Sequence, residues 1–579
     1  MKRIVTILCG MFFLIPNLKL HSQLYVASDS YVYVSKEPLY VNQAVELANN
    51  GNIYLRNGAQ LLQGTASTPN KGSGQLSVFQ EGTVNNFAYN LWTSPIGNGV
   101  LTSGNENFGV GMLQRPISVR LSNPATISTS LDGLASPLTI SQRWIYKYVG
   151  SSGYSEWEFV GPANTIAPGQ GFIMKGTNGS DAIFSDNGVA NNPGNAQRYD
   201  FRGRPNNGGI DVVVKNNQVT LTGNPYPSAI DLKSFLTVAA NPTAANCTGI
   251  AYFWEQDKTV NSHVLTAYRG GYGAYAAATN IYQVPAFFRY DSAGNPIAPT
   301  GSGHAYPRQF SPIGQGFMIR GAANGVVKMK NAFRVFKREG SDSHFEKTNS
   351  LVDETPHIKI NTILNNEAAR QMTLAFHKDA TNEIDHGMDA ELVDVNPTDV
   401  FFSIDGKEFV IETVKFDTDQ KIPVGFKNQV PAHFKIRVGE LVNVNESQTV
   451  FLHNKNDDSF HDIKNTAYEM TLPAGSNTTQ FEIVFKQNAL SAANFKKLNF
   501  DVLQDNVAQQ LTVTNPERVE VKFVRIYDVS GKLIFEHSNF GTKEAVQFST
   551  ISFNDGIYVV KIEAENQQFS KKIQVFKRK

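Results

Sequence analysis

Cysteine is nearly missing from this sequence: Cys9 and Cys247 are the only two in 579 residues. Cys9 lies inside an expected N-terminal leader, so Cys247 stands alone and no internal disulfide is expected. Apolar burial and strand pairing must hold the chain together. Charge is sparse and balanced, with 18% charged residues and a formal net charge of +1. The basic footprint that phosphate backbones require is absent, which argues against nucleic acid as a partner. Beyond the leader, no apolar run approaches the ~20 residues of a membrane-spanning helix, so no transmembrane segment is expected in the mature chain. No HExxH, Walker loop, G-x-S-x-G elbow or CxxC pair occurs. The common metalloprotease, nucleotidase, esterase and zinc chemistries therefore lack their signatures, and no enzyme is expected.

What is plentiful is glycine (46), phenylalanine (38) and tyrosine (21), among many Val, Thr and Asn. β-Branched and aromatic side chains pack on pleated sheets, and Gly and Asn supply turns. The expected fold class is all-β. At roughly 100 to 200 residues per domain, the length implies three to five domains, read as several β-sandwich-like domains in tandem with a small C-terminal sandwich.

Lys2 and Arg3 precede an apolar run over residues 4–15 that Pro16, Asn17 and Lys19 cut short, and Leu20-His21-Ser22 gives a polar end with a small residue. This pattern predicts a cleaved signal peptide over 1–22. Residues 23–80 alternate strand-like strings such as Tyr31-Val32-Tyr33-Val34 with turns such as Asn57-Gly58, predicting a β-rich region that is either a meander or the edge of a solenoid.

Residues 81–336 carry an imperfect internal duplication. The first copy, 81–205, opens with Asn90-Leu91-Trp92-Thr93-Ser94-Pro95, carries Trp144-Ile145-Tyr146-Lys147-Tyr148 and closes on Gly169-Gln170-Gly171-Phe172. The second, 206–336, opens with Gly223-Asn224-Pro225-Tyr226-Pro227, carries Phe287-Phe288-Arg289-Tyr290 and closes on Gly314-Gln315-Gly316-Phe317. Each closing turn leads into a strand-like string instead of a helix, so neither is read as a phosphate loop. A polar linker is expected over 337–354, a β-sandwich over 355–487 and a last small sandwich over 498–579.

That last unit resembles the C-terminal sorting domain of cargo for the type IX secretion system of Gram-negative bacteria. The carrying residues are Tyr527-Asp528-Val529-Ser530-Gly531-Lys532, then Asp555-Gly556-Ile557-Tyr558 with Lys561, then the basic end at Lys571 and Lys572. The resemblance implies passage across the outer membrane through the type IX export machinery, with Tyr527, Asp528, Ser530, Gly531, Lys532, Asp555, Gly556, Ile557, Tyr558, Lys561, Lys571 and Lys572 in the sorting signal. It implies a secreted or cell-surface destination, reached through the periplasm. The 355–487 unit is similar to a sandwich found ahead of this signal in such cargo, through Asp385-His386-Gly387-Met388-Asp389 and Ile422-Pro423-Val424-Gly425.

Two functions are carried forward. The first is a non-catalytic, adhesin-like or matrix-like surface protein that binds an unidentified glycan or protein. The second is a carbohydrate-binding or carbohydrate-degrading protein stacking sugars on Trp92, Trp144, Trp157 or Trp254. Trp254, beside Glu255 and Asp257, is either a sugar floor or a packed residue on a strand edge. Tyr268 and Tyr272 lie in a glycine-rich string read as a ligand-contact loop or a mobile one. Asp379, Glu383, Asp385 and Asp389 place four acids within eleven positions. Asp379, Asp385 and Asp389 are candidate Ca²⁺ ligands, against a turn in which Asp side chains cap local backbone. No other cofactor is expected.

Overall fold

The computed structural model describes residues 23–65, 68–161, 165–186, 188–237, 246–340, 355–394, 396–487, 500–564 and 567–577. The expected signal peptide, most of the expected linker (341–354) and residues 498–499 lie outside the described residues. Strand makes up 54% and helix 4%, which places the chain in the all-β class. It divides into two compact units, residues 1–486 and 487–579.

The N-terminal strands are β1 (Leu24–Val26), β2 (Tyr31–Ser35), β3 (Pro38–Val41), β4 (Val45–Leu47), β5 (Asn52–Arg56), β6 (Gln60–Gln63) and β7 (Gln75–Glu81). All pair in parallel: β1 with β4, β2 with β5, β3 with β6 and β5 with β7. Leu24 lies beside Val45, Tyr31 beside Asn52, Pro38 beside Gln60 and Asn52 beside Gln75. The segment is therefore a solenoid with coils of 21 to 23 residues. Alternation sends Val26, Val41, Leu47, Ile53, Leu55, Leu61, Leu76 and Val78 inward and leaves Tyr25, Tyr31, Tyr33 and Tyr40 outside. This decides against the meander. Asn57 (φ 56°) and Gly58 (φ 76°) form a corner between strands that do not pair with each other, where a hairpin would pair its flanks.

The sheet begun by β2, β5 and β7 continues through Arg198–Pro205, Leu113–Pro116 and Ser122–Pro124. Both GQGF strands pair antiparallel with the expected opening segments. Gly171 lies beside Thr93, and Gly316 beside Gly223. The expected middle strings do not correspond: Tyr146 pairs with Ile173 of the first closing strand, but Phe287 and Phe288 lie farther out, and Cys247–Gln256 takes the place next to Gly316–Gly321.

The packing does not divide at the expected borders. Bridges join Trp92 to Gln315 and Gln170 to Thr222. One buried cluster combines Leu91 and Ile173 of the first copy, Leu221, Tyr252 and Met318 of the second, and Ala375, Phe401 and Ile411 beyond the linker. From His357–Leu364 to Gly475–Val484 the strands form one continuous path, with Lys421–Asn428 and Ala432–Val442 five places apart. Their Phe426 and Phe434 rings nevertheless stand 5.1 Å apart, so the sheet curls around a shared core.

The second unit has a three-stranded sheet (Asp501–Asp505, Gln510–Thr514, Ala545–Ser549) and a four-stranded one (Leu533–Gly541, Val521–Asp528, Gly556–Ala564, Gln567–Val575). Val502, Leu511, Val513, Val524, Ile526, Phe548, Val560 and Ile562 share a core of its own.

Candidate functional site

The glycine-rich string is not a loop. Residues Arg269–Ala276 form a strand inside the sheet, paired on one side with Cys247–Gln256. Its glycines serve contact and not flexibility: a Cβ on Gly270 would come within 2.6 Å of the Trp254 ring, and one on Gly273 within 2.1 Å of the Tyr282 hydroxyl. Trp254 accordingly lies in an interior strand, not an edge, packed 5.1 Å from Tyr272 and 6.3 Å from Tyr290. Tyr268 is buried. Burial raises the Tyr272 hydroxyl well above its ordinary value, with Asp394 adding to the effect. The three aromatic candidates line a packed interior instead of an open groove. Trp92 is fully buried, and Trp157 packs against Tyr148 at 4.8 Å.

The acids separate as well. Asp379 faces Lys378 at 3.1 Å. Asp385 accepts a hydrogen bond from the Thr381 amide at 2.6 Å. Asp389 is buried, and its two oxygens accept from the Asp385 amide at 2.6 Å and the Thr413 amide at 2.7 Å. Burial pushes the Asp389 carboxyl up to about 7. The turn alternative is the one the geometry supports, since the oxygens are used on local and neighbouring backbone. Among the described residues no group of three or more His, Cys, Asp or Glu is gathered to hold a metal. The segment serves as a dock: Gly387 receives a bond from the Ala278 amide and donates to the Thr248 carbonyl, and His386 Nε2 lies 3.0 Å from the Cys247 carbonyl.

In the second unit Asp528, Ser530, Gly531 and Lys532 form one turn. Asp528 Oδ1 accepts from the Ser530 amide (2.9 Å), the Ser530 hydroxyl (2.6 Å) and the Lys532 amide (3.0 Å), while Gly531 takes φ 81°. Asp528 stands opposite Tyr558, which stands opposite Ile573. The Tyr558 hydroxyl donates to the Asn554 carbonyl at 2.9 Å, and Asp555 Oδ1 accepts from the Lys577 amide at 2.9 Å. Lys561 lies over the Tyr527 ring, Lys571 pairs with Asp501 at 2.6 Å, and Lys572 lies beside Val559. Ile557 is exposed.

This geometry coincides with a known family: residues 507–576 match the secretion system C-terminal sorting domain. The protein is cargo of the type IX secretion system, interacts with that export machinery and is delivered to the cell surface or released. Residues 120–485 match a second family, described as a domain of unknown function, DUF8693. The chain belongs to the DUF8693 family. That match runs across the borders expected near 205 and 336, as the shared core does. No curated protein matches the chain. Among the described residues, no helix is long and apolar enough to cross a membrane.

The Ser530 hydroxyl, ahead of the Lys532 and Ser530 amides, holds the Asp528 carboxyl below its ordinary value of 3.8. A carboxyl lowered in the folded state contributes stability that is present above the unfolded value and lost as pH falls through the folded one. The melting temperature of residues 487–579 is expected to drop as the solution is acidified below pH 3.8. Asp528→Asn, which keeps an acceptor without titrating, should show a shallower drop in melts recorded from pH 5 to 2.

The DUF8693 module also contains a polar cluster that the sequence does not announce. Lys175 ends the first GQGF strand, and its Nζ lies 2.9 Å from His263 Nδ1 and 2.5 Å from the Tyr268 hydroxyl, 3.8 Å above the Trp144 ring. His263 Nε2 lies 2.8 Å from Asp132 Oδ1, and its ring stacks on Trp144 at 7°. Burial pushes the Lys175 amine down to about 7 from 10.5. Between those values the unfolded chain binds a proton that the folded chain does not, so stability rises with pH across this window. Denaturant midpoints of the wild type should climb from pH 7 to 10 relative to those of Lys175→Met.

Proposed function

We propose that the type IX route delivers the DUF8693 module as a non-catalytic, adhesin-like surface protein, outside the outer membrane, that works by binding. Residues 1–22 act as the cleaved leader, and the two GQGF segments are an internal repeat. The observation that carries this reading is the joining of an export address to a large β module in which the titratable groups Lys175 and Asp389 are enclosed in the packing. Such a module presents its surface and loops to a partner, not a buried reaction centre.

The test is attachment. A strain lacking the chain, and the same strain expressing it, are compared on glycan-coated and protein-coated surfaces. The expected result is at least a threefold gain in attachment to one class of surface, blocked by purified residues 23–579. Equal attachment on every surface would sink the adhesin reading, and release of reducing sugar from polysaccharide by the purified chain would move it to carbohydrate degradation.

A further inference from the structure

The two ends of the sorting domain differ in chemistry. At one end lie the turns at 506–509 and 529–532, the loop at 550–555 and the last described residues, 576–577. Side chains tie them together. Asn506 Nδ2 donates to the Gln574 carbonyl at 3.0 Å, and its Oδ1 accepts from the Phe576 amide at 3.1 Å. Gln509 Nε2 donates to the Phe576 carbonyl at 2.9 Å, and Gln504 Nε2 to Thr550 Oγ1 at 2.8 Å. Tyr558, bonded to Asn554, stands opposite Asp528 and brings the second turn to the same end. At the other end lie 515–520 and 542–544, joined by Asn515 Nδ2 to the Lys543 carbonyl at 3.1 Å and by Arg518 to Glu544 at 2.8 Å.

Val507, Val529, Leu533, Ile551, Ile557 and Phe576 all stand at the first end, and all are exposed, Val529 by 79% and Val507 by 75%. None of the six joins the domain's core. The second end carries Glu517, Arg518, Glu520, Lys543 and Glu544 and, among the described residues, no exposed large apolar side chain. Single exposed apolar residues are ordinary, but a group of them on one face marks a surface that meets a partner. Turn tips favour Gly, Asn, Asp and Ser, so Val at two tips serves neither turn nor core. The acids at this end are turned away from solvent contacts: Asp505 accepts from the Val507 and Ala508 amides, Asp528 from the Ser530 and Lys532 amides, and Asp555 from the Lys577 amide. They hold the loops in shape while the apolar tips face outward.

The family match supplies the occupant, because this unit interacts with the type IX export machinery. We propose that the apolar end is the face that this machinery grips, seating Val507, Val529, Ile551 and Phe576 against an apolar groove, and that the charged end takes no part in recognition.

The test expresses the full chain in a host with the type IX route and fractionates periplasm, surface and medium. Val507→Asn with Val529→Asn and Ile551→Asn should leave at least tenfold less protein on the surface and in the medium, with the balance held in the periplasm. Asn suits a turn, so the melting temperature of purified residues 23–579 carrying the three changes should match wild type. Glu520→Asn with Lys543→Asn, at the other end, should be exported like wild type. Val529→Asn alone, in a turn already held by Asp528, should lose at least threefold, and it decides the matter if the triple variant melts lower. Normal export of Val529→Asn or of a normally melting triple variant, or an equal loss in Glu520→Asn with Lys543→Asn, overturns the proposal. A chain ending at Gln487 separates the face from the address: if that chain is retained while the triple variant leaves, the address stands and this face is rejected.

Discussion

A chain ending at Gln487 should accumulate in the periplasm, with at least a tenfold loss from the cell surface and medium, while the full chain leaves. The cut falls between the two compact units. The module keeps its last strand, Gly475–Val484, with Phe485 buried behind it and Lys486 still beside Asp419. The sorting domain keeps its own core of Val524, Ile526, Val560 and Ile562. Because each unit has a core of its own, a change in location reports on the address and not on unfolding. Fractionation into periplasm, surface and medium gives the result, and a melt of the truncated chain at the wild-type temperature verifies that the module is intact. If the truncated chain reaches the surface in wild-type amount, this unit does not carry the export signal.

The largest expected effect on stability comes from Arg370→Met. Arg370, in Ala368–Phe376, grips Asp399 with two parallel bonds, Nε to Oδ1 at 2.8 Å and Nη2 to Oδ2 at 2.5 Å. The two side chains are 4% and 0% exposed. Removing one member of such a pair strands the other charge in a medium that solvates it poorly, at a cost of ~3–5 kcal/mol, whereas replacing both by apolar groups of similar volume is often close to neutral. Arg370→Met should therefore lower the urea midpoint of the module steeply, and Arg370→Met with Asp399→Leu should recover much of the loss. The guanidinium also lies 5.0 Å from the Phe288 ring, so part of the single-variant loss belongs to the joint with the second GQGF half. A double-variant midpoint no higher than that of Arg370→Met would show that packing, not the stranded carboxylate, sets the cost.

The sorting domain was the most readable part of the sequence. The strings that carry the resemblance, Tyr527-Asp528 and Ile557-Tyr558, close and open strands, Val521–Asp528 and Gly556–Ala564, because a small two-sheet unit prints a period of two along each strand. Asp528-Val529-Ser530-Gly531 is equally local, since the bonds that define it span four residues. The N-terminal region shows where that signal stops. Tyr31-Val32-Tyr33-Val34 alternates identically in a meander and in a solenoid, and the direction of the neighbouring strand is set by residues one coil away.

The string from Tyr268 to Tyr275 failed differently. Glycine reads as freedom in a lone sequence, yet here Gly270 and Gly273 make room for Trp254 and Tyr282. The clustered acids misled because sequence proximity does not make carboxylates converge: Asp389 turns into the core while Asp379 remains with Lys378. The Lys175 cluster had no signal at all, with His263 and Tyr268 lying 88 and 93 positions away.

The solenoid's second coil is fastened from far downstream. Leu61 gives its amide to the Pro227 carbonyl, Gln60 reaches the Lys337 carbonyl across 277 positions, and Arg334 returns to the Leu61 carbonyl. A polypeptide delivered N-terminus first exposes these early strands long before their clamps arrive, and closing loops of that span is slow. These strands are thus secured only once residues far downstream are in place.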